Sequence, residues 1–395
     1  MSFYLVTYTI LFLVVALIVF IELVAHQVIF KTGRMQRIFG HPLLRYSLRR
    51  IGSALISVLL AIIVTFFLIR ATVDIDQLCL TTQFSTAFQK LPPAVVEARC
   101  DIFREQMGFN GGPFEQLMNF LYDIMPIPKT LCQSTNLLVD GVYYNSVQDC
   151  RFFLFDLGQI YSETVADLTH GPVYVIDYIG EKMMVSFPVG ILAAVVQIVL
   201  GYPLGMLMAK RKDGVVDKIG KAYIISIDAI PGVAYYYIWM SIFVALFALP
   251  ARYDVNNFLS WLPPVLTIGL TGMAGIALWV RRYMIDEFNS DYVKFARAKG
   301  LTEGRITRIH VFRNAIVPLV RTIPSAILGA LLGSFYIERI YQINGIGDML
   351  INANNAHDFF AVQGIVIVTA LISIVSYLLG DIVTAIADPR ISFTE

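Results

Sequence analysis

Long apolar runs constrain the fold of this chain more than any other feature of its sequence. Only 15% of the 395 residues are charged and 57% are hydrophobic, whereas soluble domains carry roughly 25% charged residues. A helix of about 20 apolar residues crosses the hydrocarbon core of a bilayer. We therefore expect an all-α polytopic membrane protein with about seven transmembrane helices. The predicted spans are 4–24, 51–70, 185–208, 222–248, 263–280, 315–337 and 361–384.

The first run, residues 4–24, has the charge order of an uncleaved anchor. No Lys or Arg precedes the run, no A-x-A cleavage site follows it, and Lys31 and Arg34 come after it. A cleaved signal peptide carries its positive charge before the apolar core. We predict that residues 1–30 form an extra N-terminal transmembrane anchor, followed by a basic cytoplasmic linker over 31–50.

Basic residues predict the orientation in the membrane. The segments 31–50, 209–221 and 281–314 are rich in Lys and Arg, which favour the cytoplasmic side. Seven spans place all three segments on that side. The N-terminus is then outside and the C-terminus inside. Residues 71–183 follow the span at 51–70 and are expected outside the cytoplasm.

All four cysteines lie within residues 71–183. They are Cys79, Cys100, Cys132 and Cys150. Their spacing lacks the close pairs that are typical of zinc sites, and an external compartment favours disulfides. Three pairings are possible. We favour Cys79–Cys100 and Cys132–Cys150 because each closes a local loop, and four free thiols are the alternative.

No motif for catalysis or nucleotide binding is present in the sequence. G-x-x-x-x-G-K-[ST], G-x-G-x-x-G, H-E-x-x-H and G-x-S-x-G are all missing. The five histidines are scattered, so we predict neither catalytic nor metal-binding residues. A net charge of +1 gives no indication of nucleic-acid binding. We predict a protein that is not an enzyme and has no cofactor of its own.

Few charged or helix-breaking residues fall within the apolar runs, and those that do are candidates for a pathway. Asp228 and Glu338 are carboxylates in or beside spans, where a charge usually faces the protein interior. Pro231 interrupts the fourth span, and broken helices often line a cavity. The alternatives are helix capping or an interfacial position for the acids and a simple kink at the proline. Gly201 and Gly205 have the G-x-x-x-G spacing that permits close helix packing, although loose spacing in a Gly-rich span is the alternative.

The segment SDYVKFARAKGLTEGRITRIHVFRNAIVP, residues 290–318, reads as a helix–turn–helix between two apolar runs. Ser290 is expected to cap the first helix and Gly300 to end it in a left-handed conformation. Thr302 is expected to cap the second helix. The predicted apolar side of the first helix comprises Tyr292, Phe295, Ala296 and Lys299, and that of the second comprises Ile306, Ile309 and Phe312.

Two partners suit such a segment. A basic amphipathic piece often rests on anionic lipid. The small residues Ala296, Ala298 and Gly300 at the turn favour instead the close approach of a protein.

The pattern DYVKFARAKGL…H-x-x-RNA-x-x-P resembles the cytoplasmic coupling loop of ABC-importer permeases of the dipeptide/oligopeptide/nickel subfamily. The resemblance extends in order from about residue 45 to the end of the chain. It includes YSLRRIGSALISVLLAIIVTFFLIR, REQMGFNGGPFEQLMNFL, SIDAIPGVAYYYIWM, YIERIYQINGIGDMLINA, AHDFFAVQGIVIV and DPRIS.

Several positions depart from that family. The usual Pro-Gly-x-Gly is Asn344-Gly345-Ile346-Gly347, a common Pro after Asp-Tyr is Phe360, and Lys294 occupies the position of a Glu in one form of the loop. The span at 4–24 is additional. So are stretches of about 25 residues before Cys100 and around the last two cysteines.

The resemblance implies a six-helix ABC-importer permease core, residues 51–70 and 184–395, with one extra N-terminal span and a disulfide-bearing extracytoplasmic insertion. It implies a place in the bacterial cytoplasmic membrane, a second homologous permease, two cytosolic ATPases that bind ATP and Mg²⁺, and an external substrate-binding protein. Peptides are the favoured substrate, with nickel or another small solute as the alternative. The implied ATPase contacts are Asp291, Tyr292, Ala296, Arg297, Ala298, Lys299, Gly300 and Glu303.

Two other classes of protein were weighed. A self-contained secondary transporter would require inverted repeats and intramembrane charges for ion coupling. A membrane-anchored enzyme or receptor would require a catalytic or binding constellation in residues 71–183. The sequence supports neither class as well as it supports a permease.

Overall fold

The computed structural model describes most of the chain and shows a mainly helical protein. It covers residues 42–72, 108–320 and 322–387, apart from 110, 140–141, 163–164 and 167–172, together with the isolated residues 94, 97, 100, 101 and 104. The predicted anchor at 4–24 and Cys79 lie outside the described residues. Two compact units divide the chain. Of the described residues, one unit contains those within 57–181 and 349–368, and the other contains those within 42–56, 182–348 and 369–387.

The first unit begins with two helices that pack on each other. Helix α1, Pro42–Thr72, contains the predicted span 51–70, and α2 is Pro113–Ile124. Phe66 of α1 is buried and stacks on Phe120 of α2 with ring centroids 5.3 Å apart. A proline at the first helical position begins α2 without the loss of an internal hydrogen bond.

A long β-hairpin follows α2, so the expectation of an all-α chain is wrong for this insertion. Strand β1, Lys129–Val139, pairs antiparallel with β2, Val142–Phe153, and the register shifts between Ser134 and Asn136. Strand β2 contains two Val, two Tyr and two Phe, and β1 contains two Thr and one Val, residue types that favour strands. Asp140-Gly141 between them is the sequence typical of a two-residue hairpin loop. A second short pair, β3 (Gln159–Ile160) and β4 (Val173–Tyr174), precedes the next helix.

The second unit is built around two long apolar helices in close contact. They are α3, Val175–Lys210, and α6, Leu262–Phe288. A methyl group added at Gly201 would lie 2.9 Å from the Ile276 side chain, and one at Gly205 would lie 2.6 Å from the Ala277 carbonyl oxygen. Of the two alternatives for the G-x-x-x-G spacing, the structure therefore shows close helix packing.

The predicted fourth span, 222–248, is broken rather than continuous. It consists of α4, Val215–Ala229, and α5, Gly232–Phe247, which meet at an angle of 117°. Pro231 is the N-cap residue of α5 and has no N–H to continue the ladder of α4. Asp217 of α4 is buried and accepts two hydrogen bonds from Arg281 of α6, at 2.5 and 2.9 Å, which fixes the start of α4.

Between α6 and the last helix the chain consists of shorter helical pieces. The structure contains α7 (Asp291–Ala298), α8 (Glu303–Arg305), a π-helix at Ile306–Val311, α9 (Phe312–Ala315), α10 (Val317–Val320), α11 (Thr322–Gly329), a 3-10 turn at Ala330–Leu332, α12 (Phe335–Tyr341) and α13 (Ile346–Asn355). Helix α14, Phe359–Ala387, completes the described chain.

Within the described residues, three helices are long and apolar enough to cross a membrane, and the number rises to five if each bent pair counts as one span. Helix α1 adds a shorter apolar stretch, Leu55–Ala71. The polytopic membrane architecture agrees with the sequence analysis. The exact count of seven spans stays a prediction.

Candidate functional site

Helix α7 is anchored to the second unit by two small apolar side chains. Val293 and Ala296 are buried and pack in one cluster with Met284, Ile306 and Val311. The hydroxyl of Tyr292, another predicted contact residue, donates to the Glu287 carboxylate at 2.6 Å. Helix α7 is therefore a fixed part of the unit.

The start of α7 differs from the prediction in one detail. Ser290 occupies the N-cap position with extended backbone angles, but its side chain makes no capping hydrogen bond. Its hydroxyl donates instead to the Glu287 carbonyl oxygen at 2.6 Å. Thr302 is likewise the N-cap residue of α8 without a side-chain cap. Both helices begin where predicted, and backbone geometry defines their starts.

The end of α7 confirms the prediction that Gly300 ends the helix in a left-handed conformation. This residue has φ +75°, in the left-handed region that favours glycine. Its N–H donates to the Arg297 carbonyl oxygen at 2.9 Å, and the Leu301 N–H donates to the Ala296 carbonyl oxygen at 3.3 Å. These are the two bonds of a Schellman motif. A sharp, fully bonded turn therefore separates α7 from α8.

The apolar sides of the two helices differ from the prediction. Ile306–Val311 is a π-helix, in which each N–H reaches five residues back. This register brings Ile306 and Val311 to the buried side and leaves Ile309 48% exposed. In α7 the buried residues are Val293 and Ala296, while Phe295 is 62% exposed.

The exposed surface of the segment carries most of the predicted contact residues. Phe295 lies among exposed polar and small side chains, and the Lys299 ammonium lies 4.4 Å from its ring centroid. The exposed residues of the segment include Asp291, Lys294, Arg297, Ala298, Lys299, Glu303, Arg305 and Arg308. Ala296 must be removed from the predicted contacts, since it is only 6% exposed and faces the core.

Two ion pairs lie on this surface. The Arg297 guanidinium donates to both Glu303 oxygens, at 2.7 and 3.3 Å, across the turn. The Lys294 ammonium donates to Asp291 at 2.8 Å, and this hydrogen bond lowers the pKa of the Asp291 carboxyl. Because both pairs are exposed to solvent, they contribute little to the stability of the fold.

Glu338 is buried in the interior of the second unit, and its place on a pathway stays a prediction. It is 3% exposed and accepts four hydrogen bonds, from the Ser186 hydroxyl (2.7 Å) and from the N–H groups of Ser334 (3.3 Å), Gly347 (2.7 Å) and Asp348 (3.2 Å). Burial raises its pKa above the ordinary value, although these donors act in the opposite direction. The carboxylate ties α3, α12 and the first turn of α13 together.

The segment Asn344–Gly347, which departs from the family pattern, packs closely against Glu338 and its neighbours. A methyl group at Gly345 would lie 2.3 Å from the Ser186 hydroxyl, and one at Gly347 would lie 2.8 Å from the Phe335 backbone. Asn344, in place of the usual proline, accepts a hydrogen bond at 2.8 Å from Lys182. Lys182 is buried, and the sequence analysis gave it no role.

A cavity of about 230 Å³ lies beside Glu338 in the second unit. Its wall combines small residues, such as Gly190 and Ala330, with the polar side chains of Ser186, Gln197 and Ser325. The 3-10 turn and Gly333, which has φ +64°, separate α11 from α12 beside the cavity. The break in the chain and the cavity therefore occur together.

The other two pathway candidates lie on the surface of the single chain. Asp228 is exposed one residue before the end of α4, and Pro231 is exposed at the bend that follows. Within this chain Asp228 does not face the interior, and the place of both residues on a pathway stays a prediction.

The first unit holds a buried carboxylate that the sequence analysis missed. Asp358 is fully buried and accepts hydrogen bonds from the N–H groups of Tyr161 (3.0 Å), Ser162 (3.2 Å) and Ala361 (3.1 Å). Burial raises its pKa to about 6. Its place directly before the apolar run of α14 was the available signal, because Asp is a preferred N-cap residue.

The cysteines are described only in part. Cys100 is buried and disulfide-bonded. Cys132 and Cys150 are directly opposite each other in the register of β1 and β2. The pairing of the four residues stays a prediction. Among the described residues, no group of three or more potential ligands could hold a metal ion.

Comparison with known proteins relates the chain to transport components. Residues 201–393 match the family described as "Binding-protein-dependent transport system inner membrane component". The dipeptide transport system permease protein DppB of Lactococcus lactis is 34% identical over 218 residues, which cover 55% of this chain and 72% of the relative. The oligopeptide transport system permease protein OppB of Haemophilus influenzae is 27% identical over 254 residues, covering 59% and 79%.

The oligopeptide transport system permease protein AmiC of Streptococcus pneumoniae is 39% identical over 223 residues. These residues cover 55% of this chain and 45% of the relative, so the chain spans less than half the length of AmiC.

Proposed function

Because this chain belongs to the family of binding-protein-dependent transport system inner membrane components, we propose that it is a transmembrane permease subunit of an ABC importer for peptides. It forms half of the translocation pathway and changes between outward-open and inward-open states as partner ATPases close and open. The names of the relatives, which refer to dipeptides and oligopeptides, support peptides as the substrate class. Nickel or another small solute is the alternative.

One observation carries this proposal. One side of the segment Ser290–Val311, which we call the coupling segment, packs on the core of the second unit, and its other side is exposed. Val293 and Ile306 fix it to the core, and the Schellman turn at Gly300 sets the angle between its helices. Phe295 and a set of basic residues remain on the surface. A rigid element of this kind can transmit the movement of a docked ATPase to α6, which immediately precedes it.

The assembly that we propose has five partners besides lipid. They are a second homologous permease, two cytosolic ATPases that bind ATP and Mg²⁺, an extracytoplasmic substrate-binding protein, and the substrate. The chain lies in the bacterial cytoplasmic membrane with seven spans, its N-terminus outside and its C-terminus in the cytoplasm. It carries out no catalysis and holds no cofactor of its own. No nucleic acid takes part.

In this assembly the pathway candidates take different roles. Asp228 and Pro231 are exposed at the bend between α4 and α5, where the second permease would complete the pathway. Glu338 is buried and is one of the residues that line the cavity. It holds the chain in place next to the cavity, so it supports the wall of the pathway.

The insertion outside the membrane is proposed to guide the binding protein, with disulfides Cys79–Cys100 and Cys132–Cys150. The direct register of Cys132 and Cys150 supports the second pair, since opposed residues of antiparallel strands have Cα separations within the disulfide range. Peptide mapping without reduction tests the pairing. Recovery of alkylated thiols at all four positions would contradict it.

The turn at Gly300 provides the test of function. A methyl group there would meet no atom within 4 Å, so a larger side chain affects only the backbone. Gly300→Val forces a β-branched residue into the left-handed region, at a cost of about 1–2 kcal/mol, whereas Gly300→Asn tolerates it. We expect Gly300→Val to insert in the membrane normally but to lower peptide uptake and stimulated ATP hydrolysis by the assembled importer.

Gly300→Asn is the matched control and is expected to retain most of both activities. Normal uptake by Gly300→Val would contradict the proposed coupling role. Uptake measured with a peptide and with Ni²⁺ in the same vesicles separates the two substrate classes.

A further inference from the structure

Helix α2 exposes a continuous apolar stripe. Phe114, Met118 and Tyr122 are 72%, 50% and 56% exposed, and their four-residue spacing places them on one side of the helix. Met125 and Ile127, just beyond the helix, are also exposed. Such a stripe exceeds the scattered apolar residues of an ordinary protein surface and indicates an interaction surface.

The opposite side of α2 is fixed to α1, so the helix cannot turn to bury the stripe. Leu117 is buried, and Phe120 stacks on Phe66 of α1. The Gln116 amide oxygen accepts a hydrogen bond at 3.1 Å from Arg70 of α1, and the Gln116 amide nitrogen donates to the Phe109 carbonyl oxygen at 2.8 Å.

These contacts define the depth at which α2 lies. Arg70 is in the last turn of α1, which ends at Thr72, and Phe66 is one turn earlier. The apolar stretch of α1 runs to Ala71. Helix α2 therefore packs on the end of the apolar stretch, at the level where α1 leaves the hydrocarbon. That level is the outer interface of the membrane in the topology that the basic residues predict.

The surroundings of the stripe suit this level. Helix α1 has its own exposed apolar side, formed by Leu60, Val64 and Leu68 in the same unit. The exposed polar residues Glu115 and Asn119 border the stripe of α2 along one edge. Tyrosine is common at membrane interfaces because its ring is apolar and its tip is polar.

A lysine completes the interfacial pattern at the end of α2. The Lys129 ammonium lies 4.7 Å from the centroid of the Tyr122 ring and donates to the Asp123 carbonyl oxygen at 2.6 Å. Lysine side chains at this level place their stems on apolar surface and their charges near head groups.

We propose that the stripe of α2 inserts into the outer leaflet of the membrane, so that α2 is an interfacial helix that supports the outer end of α1. The partner is the phospholipid surface. The level at which the stripe lies, at the end of the apolar stretch of α1, and the interfacial Tyr122 and Lys129 beside it favour lipid over the external binding protein.

Spin labels on the full chain in phospholipid nanodiscs of phosphatidylethanolamine and phosphatidylglycerol test this proposal. Labels are attached to Met118→Cys and Tyr122→Cys in the stripe and to Asn119→Cys on the bordering polar side. The wild-type chain, treated in parallel, corrects for labelling of native cysteines. Collision with oxygen, which concentrates in lipid, is compared with collision with a water-soluble nickel chelate.

We expect labels at 118 and 122 to collide more with oxygen than with the nickel chelate, and the label at 119 to show the reverse order. Equal exposure of all three labels to the nickel chelate would overturn the proposal. Protection at 118 and 122 that arises only after the binding protein is added would also overturn it, since the stripe would then be a protein-docking surface.

Discussion

The coupling segment and the region around Glu338 use acidic residues in opposite ways. In the coupling segment, Asp291 and Glu303 are exposed and pair with basic side chains. Glu338 is buried and is held by a hydroxyl and three backbone N–H groups. Exposed ion pairs contribute little to stability, whereas loss of a buried partner leaves several donors unsatisfied. The first region leaves its charges on the surface, and the second uses its charge to hold the fold.

The largest expected effect comes from removal of the buried carboxylate. Glu338→Ala leaves the N–H groups of Gly347 and Asp348 without this acceptor, so we expect a loss of about 3 kcal/mol or more in stability. Glu338→Gln keeps one oxygen as an acceptor and should be milder. Thermal unfolding of the full chain in nanodiscs measures both. An unchanged midpoint for Glu338→Ala would show that the contrast between the two regions is wrong.

A pH effect is expected from the other buried carboxylate, Asp358. Its folded pKa of about 6 lies above the ordinary value of 3.8, so the folded state favours the protonated form. The resulting stabilisation is complete below pH about 4 and is lost as the pH rises through about 6. Asp358→Asn, which is uncharged throughout, should flatten the dependence of the unfolding midpoint on pH over this range. An equally steep dependence in this variant would assign the effect to other groups.

The smallest expected effect concerns the ion pair of the coupling segment. Arg297→Gln and Glu303→Gln, singly and together, should give a coupling energy in the isolated chain that is much smaller than the effect of Glu338→Ala. Salt should weaken it further, because both side chains are exposed. A double-mutant cycle from thermal unfolding measures this energy. A value as large as the effect of Glu338→Ala would remove the distinction between exposed and buried acids.

The sequence was informative where local rules decide the structure. The stop signal at Gly300 predicts the left-handed turn, and Pro231 predicts the break between α4 and α5. The departure Asn344-Gly345-Ile346-Gly347 was visible in the sequence. Its dependence on Glu338 and Lys182 was not, because those contacts join residues far apart in the chain.

Other features could not be predicted by helical periodicity. The π-helix shifts the buried side from Ile309 to Val311, and this register does not follow the spacing of an α-helix. The hairpin at 129–153 had a local signal in Asp140-Gly141, which the expectation of an all-α membrane protein overlooked. Asp358 had a capping signal, but its burial depends on the distant Tyr161 segment.

Cross-linking at Phe295 tests the central claim most directly. A photoreactive phenylalanine replaces Phe295 in the coupling segment or, as a matched control, the equally exposed Phe258 that precedes α6. In the assembled importer we expect position 295 to cross-link to a cytosolic ATPase subunit and position 258 to give no such product. Absence of the ATPase product at position 295, in an importer that hydrolyses ATP normally, would contradict the assignment of this segment as the coupling element.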